Sequence, residues 1–133
     1  MAHAIYGYEG SCKNIHGHSY ELHVSVSSDF RETTYIASPG FIIDFKEIKK
    51  LVQDSVIERF DHQLLLSSAY ITSNPSISSL KNIVIFEAEP TAENLLIYIK
   101  NFLQKTFPDN IQLVHLKIFE TKNSYAEWSE NNQ

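Results

Sequence analysis

The stretch from His16 to Ser27 constrains this chain more than any other. His16, His18, Tyr20, Leu22, Val24 and Val26 fall on one face of an extended strand, with Gly17, Ser19, Glu21, His23, Ser25 and Ser27 on the other. A period of two sustained over that length excludes a helix and commits the chain to a sheet with one buried face. The buried face opens with two histidines. A solvated histidine belongs with Glu21 and Ser25, so inward-facing His16 and His18 need partners. Gly17 between them is expected to admit a close approach of backbone or ligand.

Upstream lie His3 and Cys12, the only cysteine of the chain. Three neutral imidazoles leave one tetrahedral position of zinc open, as catalytic zinc sites do. His-x-His on one strand puts both rings on one side. The alternative is a pair of hydrogen-bonded core histidines. The clustering of His3, His16 and His18 around a thiol favours zinc. Cys12 has three readings: a fourth ligand closing a structural site, a thiolate beside the metal, or a small buried apolar residue. Almost nothing precedes His3, so the strand that should carry it is expected to be missing or truncated, which weakens this ligand.

Further along, Asp29 to Glu32 reads as a turn. A second strand should follow, broken at Ser38-Pro39-Gly40 and resuming at Phe41-Ile42-Ile43. Asp44 is a helix N-cap, with Glu47 completing a capping box. Ile48, Leu51, Val52, Ile57 and Phe60 stripe a helix over about 45 to 60. Leu64-Leu65-Leu66 is apolar, and the Ser-rich segment Ser67–Ser79 reads as surface loop. Asn82 to Phe86 is a short buried strand. Thr91 caps a second helix with Ala92, Leu95, Leu96, Ile99 and Leu103 inward, closed by Pro108-Asp109-Asn110. A last strand spans about Gln112 to Thr121, with Val114, Leu116, Ile118 and Glu120 on one face. A carboxylate in phase with that apolar face needs a partner. The order implies one α+β domain over residues 1–133 with an antiparallel sheet.

Other residues stay open between roles. Asp61-His62 is an acid–base dyad or a helix C-terminal cap. Glu120 binds a guanidine-like ring edge through two parallel hydrogen bonds or forms a strand-end salt bridge. Glu93 reads as first-turn helix charge, and His23 and His115 as surface residues. A net charge of −5 and no Lys/Arg run beyond two residues argue against nucleic acid. No apolar run reaches the roughly 18 residues of a membrane span, and no export signal is evident. A reducing cytoplasm is the expectation, and one cysteine excludes an internal disulfide.

Taken in order, Cys12-x-x-x-His16-Gly17-His18, Asp44-Phe45, Asp61-His62, Pro90-Thr91-Ala92-Glu93-Asn94 and Glu120-Thr121 resemble the 6-pyruvoyl-tetrahydropterin synthase/6-carboxytetrahydropterin synthase family over nearly the whole chain. The resemblance implies the tunnelling fold, an antiparallel four-stranded sheet with two helices on one face. It implies trimers with closed sheets that stack into a homohexamer. It also implies zinc on His3, His16 and His18, a catalytic Cys12, an Asp61–His62 dyad supplied across a subunit interface, and Glu120 as the anchor of a pterin ring. Lys13 is either a solvated lysine or a triphosphate contact. Three residues between Cys12 and His16 look like the carboxy-forming branch, which feeds queuosine and other 7-deazaguanines. The substrate would be 7,8-dihydroneopterin triphosphate. The products would be 6-carboxy-5,6,7,8-tetrahydropterin, acetaldehyde and triphosphate. The pyruvoyl-forming reaction and a non-catalytic zinc-binding paralogue are the alternatives.

Overall fold

The computed structural model describes residues 1–28 and 35–132. The turn expected at Asp29–Glu32 lies outside the described residues. The His16–Ser27 alternation is present, but it is shared between two sheets. β2 (His16–Gly17) and β3 (Glu21–Ser28) are separated by the irregular backbone of His18 to Tyr20. The in-out phase runs unbroken through that interruption, so His16, His18, Tyr20, Leu22 and Val24 all remain less exposed than their neighbours.

β3 enters an antiparallel three-stranded sheet with β6 (Ile111–Thr121) and β7 (Ser124–Ser129), in the order β3-β6-β7. Its register steps from Ser25↔His115 to Val26↔Leu113. Val114 is therefore the extra residue of a β-bulge. The bulge reverses the phase expected for the start of β6, so Leu113 and Ile111 are buried in place of Val114, while Leu116 and Ile118 keep their inward places. β7 was not evident in the sequence because its inward face is little more than Ala126 and Trp128.

β2 belongs to a second, four-stranded sheet ordered β2-β1-β4-β5, with β1 (Ala2–His3), β4 (Leu64–Ser67) and β5 (Ile83–Phe86). This sheet is mixed: β1 runs antiparallel to β2, whereas β1–β4 and β4–β5 are parallel. The single antiparallel four-stranded sheet is thus corrected to one antiparallel and one mixed sheet. The physical reason lies in β4. All four of its residues are buried, which erases alternation and gives the continuous apolar run typical of a parallel strand covered on both faces. Parallel neighbours also need a crossover of a dozen or so residues. The Ser-rich stretch supplies it, as helix α3 (Ser68–Ser73) and a 3-10 turn (Pro75–Ser79) instead of a loop. Ser67 caps α3 by accepting the Tyr70 N–H.

The first long helical run opens as expected at Asp44, which accepts the Lys46 N–H at 2.8 Å. It runs through α1 (Phe45–Val52), a π turn (Gln53–Ile57) and α2 (Glu58–Phe60), labels that put α3 and the later α4 in chain order. The π turn shifts the buried stripe and brings Val56 into the core with Phe60. Residues Phe41 to Ile43 form bends in place of the resumed strand. α4 (Ala92–Thr106) is capped by Thr91, and it buries Leu95, Leu96, Ile99 and Leu103 against β6 and β7. A second apolar cluster of Ala4, Leu64 and Leu66 sits under Tyr70, Ile71 and Ile77.

Gly17 is not demanded by crowding. A methyl group there would meet Met1 O at 3.7 Å, an ordinary contact. Leu65 is fully buried, joins the main core and pairs with His3 across β1–β4. Leu65→Ala is expected to cost about 2–5 kcal/mol in urea unfolding; a loss below about 1 kcal/mol would show that this junction is not part of the cooperative core.

Candidate active site

Two strand pairings assemble the site. In the mixed sheet His3 stands directly opposite His16, so their side chains share a face. His18, two residues on, lies on that face too. In the antiparallel sheet the last rung is Glu21↔Phe119. One step further, Tyr20 and Glu120 face the same side. His3 Nε2 lies 3.0 Å from His16 Nε2 and 3.1 Å from Glu120 Oε1. His18 Nε2 lies 3.3 Å from the same carboxylate oxygen. One ligand atom from each of His3, His16, His18 and Glu120 falls within 4.8 Å of the others.

The proton positions decide whether such a group suits a metal. Nδ1 of His3 donates to the Pro90 carbonyl at 2.6 Å, and Nδ1 of His16 donates to the Asn14 carbonyl at 2.7 Å. Carbonyls only accept, so both Nε2 atoms of neutral rings present lone pairs. These lone pairs confront each other across 3.0 Å and repel unless a cation lies between them. A proton between them would have to charge one of the two rings, and His3 is buried. That burial, helped by His16 and His18, holds the His3 pKa below its usual 6.5 against the raising effects of the Pro90 carbonyl and the Glu120 carboxylate. His18 Nε2 is buried with no hydrogen-bond partner, since Glu120 is near it but outside bonding geometry. An orphaned buried nitrogen costs about 1–3 kcal/mol. The three imidazoles thus fit a divalent metal, with carbonyls fixing two rings from behind as metal-binding histidines require.

Tyr20 was placed on the buried face by the alternation, but its position at the site has no motif to mark it. Its hydroxyl stands 3.3 Å from His3 Nδ1 and 3.5 Å from Glu120 Oε1, to which it donates. Burial first, and then the Glu120 charge, push its pKa up, so it stays a phenol. Pro90 and Asn14 act through backbone carbonyls, which side-chain motifs do not reveal.

Cys12 is half-buried on a 3-10 turn (Ser11–Lys13) and is not a member of the ligand group. Its carbonyl accepts the Ile5 N–H at 2.8 Å, which ties its turn to the chain just beyond His3. Asp61 and His62 follow α2 directly. They are exposed, with His62 Nδ1 3.1 Å from Asp61 Oδ2. They line a cavity of about 440 Å³ with His18, Tyr20 and Phe60. His62 has φ +60°, the left-handed region that costs a non-glycine residue about 1–3 kcal/mol. His23 and His115 are surface residues paired to Glu21 and Glu127.

Imidazoles that converge beside a cavity are the arrangement of an enzyme that handles a small molecule with help from a metal. The sequence model of the 6-pyruvoyl tetrahydropterin synthase family matches residues 1–131, and the chain belongs to that family. It is 32% identical to the 6-carboxy-5,6,7,8-tetrahydropterin synthase of Rickettsia typhi, covering 94% of this chain and 90% of that one. It is 27% identical to the protein of the same name from Haemophilus influenzae, over 98% and 92%. The 6-pyruvoyl tetrahydrobiopterin synthase of Dictyostelium discoideum is 31% identical over 88% and 72%. In fold, the chain is similar to an uncharacterized protein of Wolinella succinogenes solved by crystallography, with TM-score 0.76, 16% identity and coverage of 97% and 92%. Among the described residues no helix is long and apolar enough to cross a membrane.

The depressed His3 pKa sets a pH dependence. Between the folded value and 6.5 the unfolded chain binds the extra proton. The stability of the metal-free protein is therefore fully present above pH 6.5 and is lost as pH falls through the folded value. His3→Gln is expected to flatten this part of the profile in urea unfolding from about pH 7.5 to about pH 5. An unchanged slope would exclude His3 as its source.

Proposed function

We propose that this chain, as a single catalytic domain, converts 7,8-dihydroneopterin triphosphate to 6-carboxy-5,6,7,8-tetrahydropterin, acetaldehyde and triphosphate, supplying queuosine and other 7-deazaguanines in the cytoplasm. The observation that carries the reading is the convergence of His3, His16 and His18 Nε2 next to a cavity, with Cys12 on an adjoining turn outside the ligand group. The names of the relatives from R. typhi and H. influenzae point the same way. The pyruvoyl-forming reaction stays in view because the D. discoideum relative carries that name at comparable identity.

His3, His16 and His18 would hold Zn²⁺, the metal suited to neutral imidazoles in an open site. When bound, it supplies Lewis acidity toward the side-chain oxygens of the substrate. Cys12 as thiolate exchanges protons with the side-chain carbons. His62 is its proton partner, and Asp61 holds the tautomer through Nδ1. The exposure of this dyad suits delivery to the site of a neighbouring subunit in a trimer-based hexamer. Glu120 accepts the 2-amino and N3 hydrogens of the pterin ring, which orients the side chain toward the metal. A structural zinc site closed by cysteine is disfavoured by the place of Cys12 outside the ligand set.

Cys12→Ala should keep bound zinc and lose turnover by at least about 100-fold, whereas His16→Ala should lose both. Loss of zinc from Cys12→Ala would make the cysteine a ligand. The product mass after incubation with dihydroneopterin triphosphate separates the carboxy- from the pyruvoyl-forming reaction.

A further inference from the structure

Glu120 does not sit where a ring anchor alone would need it. Its Oε1 is 3.1 Å from His3 Nε2 and 3.3 Å from His18 Nε2. In the neutral ring His3 Nε2 carries no proton, because Nδ1 donates to Pro90. The carboxylate therefore faces a lone pair at 3.1 Å, a repulsive contact unless a cation lies between them. Hydrogen bonding does not explain the position, since the Tyr20 hydroxyl at 3.5 Å is a long and weak donor. Ligand geometry does explain it. With zinc bonds of about 2.0–2.2 Å, the corners of a tetrahedron stand about 3.3–3.6 Å apart. Three of the six separations, 3.0, 3.1 and 3.3 Å, lie at or just below that range, and the whole group falls within 4.8 Å.

Glu120 also borders open space. A cavity of about 610 Å³ is lined by Gly17, His18, Ser19, Phe119, Glu120 and Lys122. The carboxylate is partly exposed on that side.

We propose that Glu120 has two stations: it is the fourth ligand closing the metal centre when no substrate is bound, and it leaves the centre for the pterin ring edge when substrate enters. The inference rests on the assignment of the three histidines as metal ligands and of Glu120 as ring anchor. Its consequence is selective opening. Only a ligand with an amino-pyrimidinone edge competes for the carboxylate, so small anions do not reach the metal of the resting protein.

The test uses protein loaded with Co²⁺, whose visible spectrum reports the ligand set, and azide as the small anion. Wild-type protein should show no spectral change with azide. Glu120→Gln, which keeps the side-chain shape, should show an altered spectrum that shifts on azide addition. Its Co²⁺ affinity should fall by more than the roughly 10–100-fold typical of outer-sphere partners. Neopterin should make the wild-type spectrum responsive to azide. An azide-induced shift in wild-type protein without neopterin overturns the closed state, and this arm decides even if the variant fails to fold. Neopterin that binds by fluorescence but leaves the spectrum unchanged overturns the exchange. Failure of wild-type protein to bind Co²⁺ overturns the metal assignment itself, which distinguishes that failure from the other two.

Discussion

The hydrogen bond from His3 Nδ1 to the Pro90 carbonyl is the contact on which the rest of the site depends. It fixes the tautomer of a buried ring and so decides that Nε2 meets His16 and Glu120 with a lone pair. Pro90 is itself fully buried, and the following Thr91 caps α4, whose inner face forms the main core. The orientation of one imidazole is thereby tied to the packing of the longest helix. Asn94 reinforces the junction by donating to the Glu89 carbonyl, while the Glu89 carboxylate accepts the Tyr6 N–H on the loop that leads to Cys12. One short segment before α4 thus steadies both the His3 ring and the neighbourhood of the thiol.

The site lies on the seam between two sheets. The mixed sheet contributes the His3/His16 pair, the antiparallel sheet ends at Tyr20 and Glu120, and His18 sits on the irregular backbone between them. A regular strand through His18 would have kept all these residues in one sheet, with rows of side chains pointing outward in parallel. The interruption turns two flat faces toward each other, and their side chains converge. This also explains how a two-residue β1 suffices. His3 is held by β2 on one side and β4 on the other, so length is replaced by pairing on both edges.

What was legible in the sequence was what has a period or a cap. The alternation from His16, the Asp44 and Thr91 caps, the inward face of α4 and the inward Glu120 all follow from local rules, and each is present in the fold. The three histidines were legible as a cluster because metal-binding side chains are chemically conspicuous. What escaped depends on non-local geometry. β4 has no alternation because it is buried on both faces, and its parallel pairing made a crossover helix out of a stretch with loop composition. The bulge at Val114 and the π turn at Gln53–Ile57 each shift a phase by one residue, which no periodicity argument anticipates. Tyr20, Pro90 and Asn14 act through position and backbone, where residue type carries little information.

Charge connects these features to the reaction. A chain of net charge −5 would repel the proposed triphosphate substrate at long range, so attraction would have to be local. Three neutral imidazoles around a divalent ion leave a charge of +2 in a partly buried site. A carboxylate in the fourth position halves it. If Glu120 moves onto the ring edge as the substrate enters, the full +2 is restored beside the substrate oxygens, in a cavity where it is screened less than in water. The same motion would occupy the half-buried carboxylate with ring hydrogens, so neither station leaves it without a partner. The repulsion that makes Glu120 a poor neighbour for a bare His3 Nε2 is then what keeps it on a cation or on the substrate, and nowhere between.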